Sequence, residues 1–302
     1  MEPQTTKETA PAEEAAGGTR LLLSQRLGRP PYVLDPKDLP GQYNPCPDKL
    51  GAHIRQIDEQ TLVKFGSNVR LAEAEAMHMV SEQTTVVCPQ VIGAYILNEV
   101  GYIIMSFEQG EDLPQYWDKA ASMEREHVIA QLKDYVKQMR AIRGDFIGGV
   151  DYSSCKDGIF DWDYRGLDRE YGPYADEASF NDGIAMALAN RVPPARCDPD
   201  PESVGFNNGW MEQRLARSFK GHDIVFTHAD LHSGNILVRA DGTVVLLDWG
   251  LAGYWPEYWE FYRATFMGTF RPDFIREIER FIPPFYMEAF VMRQIFDKLV
   301  GG

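Results

Sequence analysis

The sequence predicts an α+β chain: an antiparallel β region holding one helix in its first third, and mostly helices afterwards. Three observations predict it. His53 to Ile57 and Thr61 to Phe65 are β-rich runs around the short turn Asp58-Glu59-Gln60, which makes a hairpin. Met123 to Arg140 repeats Val128, Ile129, Leu132, Tyr135, Val136 and Met139 at helical spacing. Ile224 to Gly250, IVFTHADLHSGNILVRADGTVVLLDWG, sets one polar loop among short apolar runs.

Taken in order, residues 1–20 are rich in Glu, Ala, Thr, Pro and Gly and are expected to form a disordered tail. Ordered structure is expected from Leu21-Leu22-Leu23, a short helix ended by Pro30-Pro31, followed by an extended arm over Pro36 to Pro47. In the second strand of the hairpin, Leu62 and Lys64 share one face and Val63 and Phe65 the other. Leu71, Ala74, Met77 and Val80 place a helix over Val69 to Ser81, which carries Glu73 and Glu75. Val100 to Glu108 reads as an apolar strand leading to Gln109-Gly110.

Beyond it, Ser122 is the expected N-cap of the Met123–Arg140 helix. Residues 151 to about 205 are dense in carboxylates, among them Asp157, Asp161, Asp163, Asp168, Glu170, Asp176, Glu177 and Asp182. One helix is expected around Phe180 to Ala189 and a second over Trp210 to Phe219, with loops at Val192 to Pro194 and Cys197 to Pro201. Tyr254 onward reads as helix, putting Trp255 and Trp259 on one face. Closing helices over Pro272 to Leu299 carry Ile275, Ile278 and Phe281, then Met287, Phe290, Val291, Ile295 and Phe296.

The chemistry concentrates in Ile224 to Gly250. Ile224 to Phe226 is a strand, His228 to Asn235 a polar loop, Ile236 to Val238 a strand, Asp241-Gly242 a two-residue turn signal, and Val244 to Leu247 the return strand. The hairpin brings Asp248 back beside Asp230 and Asn235. Phosphoryl transfer to a hydroxyl needs one carboxylate to orient the hydroxyl and take its proton. It also needs hard oxygen ligands for a Mg²⁺ that bridges the nucleotide phosphates. Asp230 suits the first role, Asn235 and Asp248 the second. A His, an Asp and an Asn at three fixed positions would match by chance in about one chain of this length in thirty. Their place between two strands, with Asp248 ending the hairpin, is what makes the pattern specific. The plain alternative is that Asp230, Ser233 and Asn235 are turn formers and Asp248 a helix cap.

These residues carry a resemblance. VFTHADLHSGNILV and LLDWGLAGYWPEYWEF are similar to the H-G-D-L-H-x-x-N-I-L loop and I-D-W strand end of the aminoglycoside phosphotransferase and choline kinase group of small-molecule kinases. The resemblance covers roughly residues 50–270 and extends to fungal phosphotransferase-like proteins. It departs at Ala229, where the family usually has Gly. It implies a protein-kinase-like fold of two lobes: a small antiparallel β lobe with one helix over residues 21–108, and a mostly helical catalytic and substrate lobe over 109–302.

It also implies site roles. Asp230 would be the catalytic base, Asn235 and Asp248 the Mg²⁺ ligands, and His228 and His232 residues that order the loop. Lys64 would grip the ATP phosphates, paired with Glu73 or, alternatively, Glu75. Ser106, Phe107 and Glu108 would form the connection whose backbone binds adenine. Glu257, Trp259 and Glu260 are candidates for the acceptor pocket, the Trp pair being equally explained as core. Acidic side chains of 151–205 would bind ammonium groups or simply be solvated. No glycine-rich loop stands near the first strands, only Gly51 and Gly66, so the Asp58–Gln60 turn is expected to cover the phosphates poorly.

The expected function is transfer of the ATP γ-phosphate to a hydroxyl of a small cationic or polyhydroxylated metabolite. The rivals are an inactive binding protein and a protein kinase, the latter disfavoured because no A-P-E motif follows Asp248. A net charge of −15 argues against nucleic acid and anionic membranes as partners. Cys46, Cys88, Cys155 and Cys197 are far apart, as free thiols would be. With no basic-then-apolar leader and no apolar run of membrane length, a cytoplasmic monomer or homodimer is expected.

Overall fold

A computed structural model of the chain describes residues 52–97, 99–160, 170–191, 210–267 and 271–300. The expected tail, the helix from Leu21, the Pro36–Pro47 arm, Cys46, Cys197, the Val192–Pro201 loops, and Asp161, Asp163 and Asp168 lie outside these residues.

Strands β1 (His53–Asp58) and β2 (Thr61–Gly66) form the hairpin, and α1 (Leu71–Gln83) follows. Strands β3 (Val91–Leu97) and β4 (Val100–Ser106) complete an antiparallel sheet of order β1-β2-β4-β3. Alternation divides β2 between two faces. Val63 packs with Tyr102 and Ile104 on one, where Phe65 and Tyr95 stack on Tyr102. Lys64 lies on the other face, towards α1. The helix buries Ala74, Met77 and Val80, and with them Ala72, Ala76 and Glu73, because it is wedged between the sheet and the rest of the chain.

After Ser106 come β5 (Glu111–Asp112), α2 (Leu113–Lys119) and α3 (Ser122–Ala141). All six apolar residues predicted for the α3 stripe are buried. Ser122 is the first helical residue, not the cap: the Ala121 N–H before it donates to the Glu124 carboxylate at 2.6 Å. Helices α4 (Glu177–Arg191) and α5 (Trp210–Ala216) precede β6 (Ile224–Thr227). A 3₁₀ turn (Ser233–Asn235) leads into β7 (Ile236–Val238), β8 (Val244–Leu246) and β9 (Gly253–Pro256). The chain closes with α6 (Trp259–Met267), α7 (Pro272–Ile275) and α8 (Tyr286–Val300).

The sheet and α1 form one lobe and the helices the other, giving the two-lobed α+β architecture. Two small sheets, β5-β7-β8 and β6-β9, lie in the helical lobe and frame the polar loop.

Three local expectations are corrected. The β7–β8 turn is not a two-residue hairpin: the Arg239 N–H donates to the Thr243 C=O, and Gly242 takes a left-handed φ of +84°. Residues Gly253–Pro256 are strand, not helix, because they pair with β6 from Ile224↔Pro256 to Thr227↔Gly253. The α8 core face is Ala289, Val291, Met292, Ile295 and Leu299, while Met287 and Phe290 are exposed. Among the described residues no helix is long and apolar enough to cross a membrane.

Candidate active site

Lys64 is the centre of a buried charge cluster. Its Nζ donates to both Glu73 oxygens, at 2.6 and 2.8 Å, and to Asp248 Oδ1 at 2.7 Å. Three parts of the fold meet there: β2 supplies the ammonium, the first turn of α1 supplies Glu73, and the chain after β8 supplies Asp248. Glu75, the alternative partner, does not pair with Lys64. Burial alone would lower the pKa of this ammonium, but attraction from Glu73 and Asp248 outweighs it and the net shift is upward. Lys64 is therefore a fixed cation.

The polar loop is fixed as tightly. Asn235 Nδ2 donates to the Asp230 C=O at 2.9 Å and to Asp230 Oδ2 at 2.8 Å, so the Asp–Asn spacing closes on itself. The His228 ring is buried and bridges the loop to the strand that ends in Asp248. Its Nδ1 accepts from the Asp230 N–H (3.2 Å), which puts the ring proton on Nε2, 3.1 Å from the Leu247 C=O. Burial pushes the His228 pKa down to about 4, against the pull of Asp230 and Asp248, so the ring is neutral. The Leu247 N–H donates to the Asn235 C=O at 2.8 Å, placing Asp248 next to Asn235. His232 Nδ1 accepts from the Gly234 N–H at 3.0 Å, and its Nε2 lies 3.7 Å from Asp230 Oδ2.

Two residues of this constellation adopt left-handed backbone, Ala229 (φ +63°) and Asp248 (φ +59°). That conformation costs a non-glycine residue about 1–2 kcal/mol. At Ala229 the surroundings hold the strain in place. Glu260 accepts from the His228 N–H at 2.8 Å and the Ala229 N–H at 3.1 Å, while Arg263 Nε donates to the Ala229 C=O at 2.9 Å.

Glu260 is thus buried beneath the loop rather than facing an open pocket. Burial pushes its carboxyl up to about 7, opposed by the two N–H bonds and by Arg140. Trp259 is fully buried and lies flat on Trp255, with centroids 4.6 Å apart and planes at 5°. Glu257 pairs with Arg140 of α3 at 2.6 Å.

Sequence reasoning missed Arg263. Its Nη2 stands 3.3 Å from Asp230 Oδ1 and its Nη1 3.3 Å from Asp157 Oδ2. Asp157, grouped above with the acidic run, is completely buried, and burial raises its pKa against the pull of Arg263. The signal was present: Arg263 follows Glu260 by three residues, hence on the same helical face.

At the connection after β4, the Ser106 N–H donates to the Gln90 C=O (2.9 Å) and the Phe107 N–H to the Gln60 C=O (2.7 Å). Ser106 Oγ donates to Glu108, which also pairs with Arg239. The Asp58–Gln60 turn therefore packs against this connection and not over Lys64. An open groove of about 870 Å³ borders the connection, lined by Gln60, Gln90, Ser106 and Arg239 among others. Lys64, Asp230 and Asp248 do not line it.

The donor set fits a hard cation. Asn235 spends its NH₂ on Asp230, which turns its amide oxygen away from that carboxylate, and Asp248 adds a partly exposed carboxylate. No group of three or more His, Cys, Asp or Glu forms a closed metal cage among the described residues. Mg²⁺ is characteristically bound by one or two such oxygens, with phosphates and water completing the shell.

Residues 67–282 match the phosphotransferase enzyme family. Among solved structures the chain is similar to an aminoglycoside-3'-phosphotransferase of type VIII (16% identity, TM-score 0.48, covering 82% of this chain and 88% of that one). It is similar to the choline kinase LicA from Streptococcus pneumoniae (14%, TM-score 0.45, 83% and 80%). A third is the macrolide 2'-phosphotransferase MphH from Brachybacterium faecium (14%, TM-score 0.46, 83% and 81%). No curated protein matches the sequence.

Proposed function

Since the chain belongs to the phosphotransferase enzyme family, we propose that it transfers the γ-phosphate of ATP to a hydroxyl of a small cationic or polyhydroxylated molecule. The observation that carries this reading is the convergence of Lys64, Glu73 and Asp248 beside the Asp230–Asn235 pair.

Asp230 orients the acceptor hydroxyl and takes its proton as the new O–P bond forms. The bond from the γ-phosphorus to the bridging oxygen breaks in the same displacement, and ADP leaves with that oxygen. Lys64, held by Glu73, contacts the phosphates and stabilises the charge that accumulates as ADP departs. Asn235 and Asp248 would hold Mg²⁺, which when bound would neutralise charge on the nucleotide phosphates. His228, neutral and doubly hydrogen-bonded, keeps the loop against the Asp248 strand. With the Ser106 and Phe107 N–H groups already used, adenine recognition falls to the Glu108 N–H and the neighbouring carbonyls. We place the division between nucleotide and catalytic lobes after Glu108. The acidic chain suits a cationic acceptor.

Asp230→Ala is predicted to abolish transfer to any acceptor while leaving ATP binding within about twofold of wild type, because the nucleotide contacts lie elsewhere. Turnover retained in that variant would remove Asp230 from the role of base. A misplaced Lys64 would favour the binding-protein alternative; its pairing with Glu73 and Asp248 supports the enzyme reading instead.

A further inference from the structure

We infer that Arg263 is a positioning residue for phosphoryl transfer: its guanidinium clamps the catalytic loop by gripping the Ala229 carbonyl and the Asp230 carboxylate together, with Asp157 anchoring it from behind. This rests on the assignment of Asp230 as the base.

The argument starts from the backbone. His228 to Asp230 turns sharply through the left-handed Ala229, and one face of α6 meets that turn. Glu260 takes the His228 and Ala229 N–H groups of the loop, and Arg263, one helical turn later, takes the Ala229 carbonyl that follows them. The same guanidinium edge reaches Asp230 Oδ1 while Asn235 holds Oδ2. A carboxylate gripped at only one oxygen could swing about its own side-chain bond. Gripped at both, it presents its remaining lone pairs in one direction, which a base needs if the hydroxyl is to be met in line.

Arg is suited to this by its planar fork. One edge serves Ala229 and Asp230 while the other nitrogen, Nη1, faces Asp157. The contact with Asp157 Oδ2 falls short of hydrogen-bond geometry, and Asp157 Oδ1 instead accepts from the Ile159 N–H at 2.9 Å. Asp157 thus supplies a buried countercharge on a fixed turn. A lysine would preserve the charge but could not reach both loop oxygens at once.

The test compares wild type with Arg263→Lys and Arg263→Gln, measuring kcat and KM for Mg-ATP with water or a small alcohol panel as acceptor. Arg263→Lys is expected to lower kcat by about tenfold or more with KM for ATP within about twofold, and Arg263→Gln to lower kcat further. Unchanged kcat in Arg263→Lys, or a rise in KM alone, overturns the inference, and this variant decides alone if Arg263→Gln does not fold. Hydrogen exchange over 226–237 needs no turnover: faster exchange in Arg263→Lys is expected, and wild-type protection contradicts the clamp. A wild type that binds ATP but never transfers phosphate would count against the proposed function; the exchange result would still judge the clamp.

Discussion

At the scale of single residues, the site is built from buried ionisable groups whose state is decided by burial first and by their partners second. Glu260 and His228 are shifted in opposite directions by the same cause, removal from water. The Glu260 carboxyl is pushed up to about 7 from an ordinary 4.5. Its folded form therefore holds a proton that the unfolded chain releases. The stability it contributes is fully present below pH 4.5 and is lost as the pH rises to 7. His228 is pushed down to about 4 from 6.5, so stability is lost as the pH falls through that window. Between 4.5 and 6.5 the two trends oppose each other. Glu260→Gln removes the first, so the stability advantage of wild type over this variant should shrink from pH 4.5 to 7 and then level. Urea melts across that range would check it, and a difference independent of pH would show that Glu260 is ionised throughout. Separately, the amide must turn a donor towards a backbone N–H, so the variant should be less stable at every pH.

At the scale of elements, the apolar patterns within single runs were legible and the pairings between distant runs were not. The α3 stripe and the strand–loop–strand of β6 to β8 follow from periods that a local reading detects. Gly253–Pro256 was misread because its aromatic run is compatible with helix. Only pairing with β6, which lies a loop and a hairpin away, makes it a strand. The Trp pair nevertheless meets, Trp255 from β9 against Trp259 from α6, and it anchors the helix that carries Glu260 and Arg263. Trp259→Ala should cost about 3–5 kcal/mol by denaturant melt, the usual loss for a buried aromatic. In the small lobe, a Cβ at Gly101 would lie 2.0 Å from the Val69 C=O, whereas one at Gly93 would meet nothing within 4 Å. Gly101→Ala should force β4 away from the entry to α1, lowering stability by about 1–3 kcal/mol and weakening ATP binding as Glu73 moves from Lys64. Gly93→Ala should do neither, and equal effects would contradict this packing.

At the scale of the whole molecule, two lobes bring together side chains that sequence places far apart: Lys64 and Glu73 from one, Asp230, Asn235 and Asp248 from the other. Most of that set was legible because phosphoryl transfer restricts which residue types can serve and at what spacing. Arg263 and Asp157 were not, since their contact joins segments over a hundred residues apart, and the three-residue spacing from Glu260 to Arg263 gives a shared helical face but not what that face meets. The central claim is that these groups form one Mg-ATP site, and a thermal-shift titration tests it most directly. ATP would be titrated with and without Mg²⁺ against wild type and Asp248→Ala. Ligand at 100 times its Kd stabilises the folded state by about 2.7 kcal/mol, a shift of several degrees for a chain of this size. The account predicts that shift in wild type with Mg²⁺, and its loss in Asp248→Ala. No shift at millimolar Mg-ATP, or an equal shift in the variant, would contradict it.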